Sequence, residues 1–134
     1  MQLNELYTYA EDNGVTVISY KMPKSEAMSV MYDGHCFIGI DPFALTTYAD
    51  EKVKLGHEIG HCEMGAFYNE YSPLSLRSQC ERRADIWAIK KLVPKDELFE
   101  AFKKGYTEIW QLAEYFDVTE DFMRTATEYY KDVG

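Results

Sequence analysis

His57-Glu58-Ile59-Gly60-His61 is the stretch from which the fold can be read. Upstream, Thr46 or Thr47 offers a hydroxyl N-cap. Asp50 and Glu51 then fall in a first turn, where the helix dipole favours acids. Downstream, Gly65 marks where the helix should fray. The pentapeptide is therefore predicted to lie on a helix, where positions i and i+4 share one face a turn apart. His57 and His61 are two of only 3 histidines in the 134 residues, and this spacing lets both imidazoles point at one metal ion. Glu58 stands about 100° further round the helix, able to reach a water beside the metal without being a ligand.

This is the H-E-x-x-H arrangement of zinc hydrolases, with the glutamate as general base. A catalytic zinc usually has three protein ligands and one open position, so a third ligand must come from another element. Residues 80–92 supply it: Ala84, Trp87, Ala88 and Leu92 recur at helical spacing and predict a second amphipathic helix packed on the first. Glu81 and Asp85 lie one turn apart on it. Glu81 is the candidate third ligand. Asp85 is the candidate acceptor for the free ring N–H of a ligand histidine, a contact that fixes the tautomer. The plainer alternative makes both acids solvated charges paired with Arg82 or Lys90.

With these residues the chain resembles the ImmA/IrrE metallopeptidases, whose pattern is H-E-[LI]-G-H, then E-x-x-A-[ND], then a short apolar helix ending near proline. Here the matching residues are His57-Glu58-Ile59-Gly60-His61, then Glu81-Arg82-Arg83-Ala84-Asp85, then Ile89-Lys90-Lys91-Leu92-Val93-Pro94. The segment from Glu108 to Asp121 is similar to the family's "ELAEYFGVSEE", with Asp117 where glycine is common. The likeness covers about residues 15–130. It implies one zinc ion per chain, held by His57, His61 and Glu81 as in a gluzincin, with Glu58 as catalytic base. It also implies an antirepressor of a prophage or integrative element, an endopeptidase that cleaves a helix-turn-helix repressor. The alternative is a non-catalytic antirepressor that sequesters the repressor and uses the metal structurally. Against that alternative, structural zinc sites tend to be closed by cysteine and histidine.

Length and composition set bounds. With 134 residues, 46% hydrophobic and 15% aromatic, the chain is expected to be a single domain, 1–134, with one core. No apolar run approaches a membrane span, and Met1-Gln2-Leu3-Asn4-Glu5 carries no leader signature, so no membrane association and a cytoplasmic location are expected. A net charge of −9 disfavours direct nucleic-acid binding and suits steering toward a basic protein. The odd set Cys36, Cys62 and Cys80 argues against a disulfide framework and predicts buried free thiols, the alternative being a redox switch or an alternative metal ligand. Cys62 and Cys80 each neighbour a ligand position, but adjacent helical residues point about 100° apart, so neither is well aimed at the metal.

Along the chain, Leu3, Leu6, Tyr7 and Ala10 predict a helix closed by Asn13-Gly14. Residues 15–20 read as a strand ended by Pro23. Ala27 to Tyr32 and Cys36 to Ile40 read as strands joined by Asp33-Gly34, a hairpin signal. The fold class is therefore α+β and zincin-like. A helix and a small antiparallel sheet fill residues 1–45, the metal helices 46–94, and a helical segment 95–134. A polar and aromatic loop is expected over Tyr68 to Ser78. Three further helices are expected near 95–104, 107–115 and 119–130. The last two resemble half of a helix-turn-helix, or simply bury Trp110, Leu112, Phe116, Phe122 and Met123. Residues 36–40 are the candidate edge strand lining a substrate cleft. His35, Tyr68 and Tyr71 stay outside the catalytic assignment: His35 follows a turn, and the chain has 11 tyrosines.

Overall fold

The computed structural model describes residues 1–133. Helix α1 (Leu3–Asp12) precedes strands β1 (Thr16–Ser19), β2 (Ala27–Tyr32) and β3 (His35–Ile40). Helices α2 (Tyr48–Met64), α3 (Leu74–Leu92), α4 (Lys95–Lys103), α5 (Ile109–Phe116) and α6 (Glu120–Val133) follow. The α+β class is thus as read from the sequence.

The hairpin forms because Asp33 (φ 51°) and Gly34 (φ 76°) both adopt left-handed backbone, the requirement of a two-residue turn whose twist matches the strands. Tyr32 pairs with His35, and the register continues to Ala27 opposite Ile40. The sheet is not antiparallel throughout. Its order is β1-β3-β2, with β1 parallel to β3, from Thr16 opposite Phe37 to Ser19 opposite Ile40. The connection from β1 to β2 is pinned at the far end of β3: Tyr20 N donates to Ile40 O (3.0 Å) and Met22 N to the buried Asp41 carboxylate (2.9 Å). The mixed order gives the central position to β3, whose Cys36, Ile38, Gly39 and Ile40 are buried. Strand β3 therefore cannot be the free edge of the cleft; that edge is β2.

The cysteines also depart from expectation. Cys36 and Cys62 form a disulfide between β3 and the last turn of α2, with Cα atoms 5.9 Å apart. Cys80 alone is free and buried among the described residues. The same angular offset that turns Cys62 away from the metal face directs it at the sheet, a proximity that spacing along the chain does not reveal.

Helix α2 starts and stops as its sequence dictates. Thr47 Oγ1 accepts from Asp50 N (3.0 Å), and Gly65 (φ 59°) closes the helix in left-handed backbone. Helices α2 and α3 approach closely because two glycines face α3. A Cβ at Gly60 would lie 2.6 Å from the Ala84 carbonyl oxygen, and one at Gly56 2.9 Å from Leu92 Cδ1. Helix α3 begins at Leu74, earlier than the expected end of the loop at Ser78. Pro73 presets the entry. Arg77 secures the first turn, donating from Nε to Ser72 O (3.0 Å) and from its other end to Glu70 O.

One cluster of buried side chains takes in every helix and β3, including Leu6, Ile38, Leu55, Leu92, Leu98, Phe116 and Met123. Leu112, Phe116, Phe122 and Met123 are buried as expected, whereas Trp110 is exposed. Lys52, on the apolar face of α2 with Leu55 and Ile59, is 1% exposed, and its ammonium donates to Phe116 O at 2.6 Å. It thus ties α2 to the carbonyl end of α5, where the dipole favours a cation. No helix among the described residues is long and apolar enough to cross a membrane.

Candidate metal centre

The close α2–α3 crossing places His57, His61 and Glu81 so that one ligand atom from each lies within 4.8 Å of the others. The two Nε2 atoms are 3.2 Å apart. Glu81 Oε2 is 2.7 Å from His57 Nε2, and Glu81 Oε1 is 3.4 Å from His61 Nε2. Ligands about 2.1 Å from a tetrahedral zinc are separated from each other by about 3.4 Å. The donor set fits such an ion with small side-chain adjustments.

Each imidazole uses Nδ1 in an outer contact and turns Nε2 toward Glu81. His61 Nδ1 lies 2.5 Å from Ala66 O. A carbonyl only accepts, so Nδ1 carries a proton, and Nε2 is the nitrogen available to an ion. Ala66 reaches this position because Gly65 turns the chain back at the end of α2, where Ala66 N also donates to His61 O (3.0 Å). His57 Nδ1 lies 2.7 Å from Asp85 Oδ1, the orienting contact expected for Asp85.

Without an ion, His57 lies between two carboxylates, and both of its nitrogens can donate. Burial alone would lower its pKa. The hydrogen bond and charge of Asp85, with Glu58 and Glu81, outweigh burial and push it up to about 9. Burial raises the Glu81 carboxyl, but the Tyr68 hydroxyl and the two imidazoles outweigh it and hold Glu81 below its ordinary value. Tyr68 OH donates to Glu81 Oε1 at 2.5 Å, which together with burial pushes the phenol up to about 12.

Glu58 makes up part of the wall between two cavities. The larger, of about 830 Å³, is lined by residues 22–27 together with Val53, His57, Glu58, Asp85 and Phe122. The smaller, of about 250 Å³, is lined by Ala27 to Ser29, Glu58, His61, Tyr68 and Glu81. Both share Ala27 and Glu58, so one cleft passes the triad along the free edge of β2.

Each of the five residues singled out from the sequence therefore borders this centre. Tyr71 does not: it is 87% exposed on the loop before α3. His35 lies on the sheet, its Nε2 2.8 Å from Thr16 Oγ1 and its ring against Phe37. The sequence reading missed Tyr68 as a partner of Glu81, because nothing local separates it from ten other tyrosines. It also missed the carbonyl of Ala66, which only the Gly65 reversal delivers.

Fold and site together define an α+β domain of metallopeptidase type, with an H-E-x-x-H helix and a His-His-Glu group that could hold a metal ion. The chain belongs to the family described as IrrE N-terminal-like domain, whose model matches residues 10–127. Comparison with curated proteins gives no significant match, and comparison with solved structures gives none either.

Proposed function

We propose that this protein is a cytoplasmic zinc-dependent endopeptidase of gluzincin type, acting as an antirepressor that cleaves a helix-turn-helix repressor of a prophage or integrative element. The observation that carries the reading is the convergence of two Nε2 atoms and one carboxylate beside a glutamate that lines an open cleft. His57, His61 and Glu81 are the ligands in this reading. A zinc ion held there supplies Lewis acidity for the scissile carbonyl and for the attacking water.

The remaining steps belong to the chain. Glu58 takes the proton from the water and returns it to the leaving amine. Asp85 and the Ala66 carbonyl hold the two imidazoles in the tautomer that leaves Nε2 free. The substrate binds as an added strand on β2. Asp41 N donates to Glu26 O (2.9 Å), and antiparallel alternation then turns the backbone groups of Met28, Val30 and Tyr32 toward β3. Those of Ala27, Ser29 and Met31 are left on the free edge, where they can pair with an extended peptide. A net charge of −9 complements a basic DNA-binding partner.

The test is cleavage of the repressor by wild type and by Glu58→Gln. The variant should keep its metal and lose roughly two to four orders of magnitude in rate. Equal cleavage by both would overturn the assignment. Intact repressor that nevertheless leaves its operator would move the reading to sequestration.

A further inference from the structure

We propose that the Cys36–Cys62 cystine is a reversible redox site that sets how firmly the cleft edge is held against the metal helix. Cys62 follows His61 directly, and Cys36 stands opposite Met31 of β2. The bond therefore runs from the β2–β3 hairpin to the last turn of α2, closing a separation of 26 residues. Toward the turn the outer strand β2 packs on little besides β3, while His35 Nε2 holds β3 to Thr16 Oγ1 (2.8 Å). Met28, Val30, Met31 and Tyr32 are all exposed, and Asp33 and Gly34 form an exposed tip. The metal centre uses neither sulfur as a donor. Cys62 is only partly buried, which leaves it open to a small thiol, whereas Cys80 lies buried with its Sγ toward Phe67 O.

The exchange balances with a thiol couple such as glutathione. Two thiols deliver two electrons and two protons, the S–S bond breaks, two S–H bonds form, and the reductant leaves as its own disulfide. The reverse step takes a disulfide oxidant. The inference rests on the proposed function for its location and for its effect on cleavage, since cytosolic cystines in mesophiles are mostly transient or redox-sensing. The oxidised form holds β2 in place for substrate pairing. Reduction releases the hairpin while the helices stay folded.

The experiment is amide hydrogen exchange on the full metal-free chain, in three forms: oxidised, equilibrated with reduced glutathione, and as the double variant Cys36→Ser/Cys62→Ser. Circular dichroism reports whether each form is folded. The expected result is release of the cystine by millimolar glutathione, with exchange over residues 27–40 faster by roughly tenfold or more in both reduced-like forms. Exchange in α4, α5 and α6 should stay unchanged. A cystine that resists glutathione in the folded protein overturns the proposal, as does a hairpin that exchanges equally in all three forms. Global unfolding on reduction also overturns it, because the bond is then a fixed staple. If no form cleaves repressor after zinc is restored, while the hairpin difference persists, the peptidase reading fails and this one stands.

Discussion

Raising the pH of the metal-free protein from about 6 to about 9.5 should cost it about 3 kcal/mol of stability through His57 alone. Burial opposes the charge on this imidazole, but Asp85, Glu58 and Glu81 outweigh it and carry the pKa from 6.5 to about 9. The His57 side chain is 22% exposed, so solvent screening is modest. At about 1.4 kcal/mol per unit, the shift corresponds to about 3 kcal/mol. The folded state binds this proton more tightly than the unfolded chain does. The contribution is therefore fully present below about pH 6.5 and is lost as pH rises through about 9. Lys52 runs the other way, because burial lowers its pKa against the pull of Asp117, Glu5 and Glu97. Asp85→Asn separates the two: it removes the carboxylate charge that raises His57 and leaves Lys52 untouched. The assay is urea unfolding with a chelator present at both pH values, on wild type and Asp85→Asn. Wild type should lose more stability than the variant, by about 2 kcal/mol or more. Equal losses, or a smaller loss in wild type, would refute the claim that the carboxylates around His57 hold its charge.

Three further outcomes follow from particular contacts. Gly60→Ala should destabilise the fold by about 1–3 kcal/mol and weaken metal binding, because the added Cβ meets the Ala84 carbonyl and pushes apart the helices that carry the ligands; thermal unfolding and a zinc competition titration check both. Zinc binding near pH 7 should release about one proton from His57, read by calorimetry in buffers of different ionisation enthalpy. Lys52→Ala should cost about 2–4 kcal/mol by chemical denaturation, since it opens a cavity and strips the Phe116 carbonyl of its buried donor.

What could be read in the sequence was what local periodicity encodes. Two histidines one turn apart on a capped helix announce themselves, and Glu81 and Asp85 follow once a second helix is placed on the first. The Asp33-Gly34 turn fixed the hairpin for the same reason: its backbone requirement is local. The strand order was not legible, because parallel pairing of β1 with β3 depends on contacts between distant segments such as Met22 and Asp41. The cystine was hidden likewise, being a meeting of β3 with α2. Lys52 did leave a trace, since it stands on the same helical face as Leu55 and Ile59. A charge at that spacing is a sign of a buried partner, here the end of α5. Gly60 fits the family pattern, but its physical reason, the Ala84 backbone pressed against it, emerges only when the helices cross.

In the proposed function His57, His61 and Glu81 hold one metal ion that Glu58 serves without ligating. Metal content by inductively coupled plasma mass spectrometry, on purified wild type beside His61→Ala, Glu81→Ala and Glu58→Gln, tests it most directly. About one zinc per chain is expected in wild type and Glu58→Gln, and loss of it in the other two. A wild type without stoichiometric metal, or a Glu81→Ala variant that keeps it, would mean that these three side chains do not form the metal site.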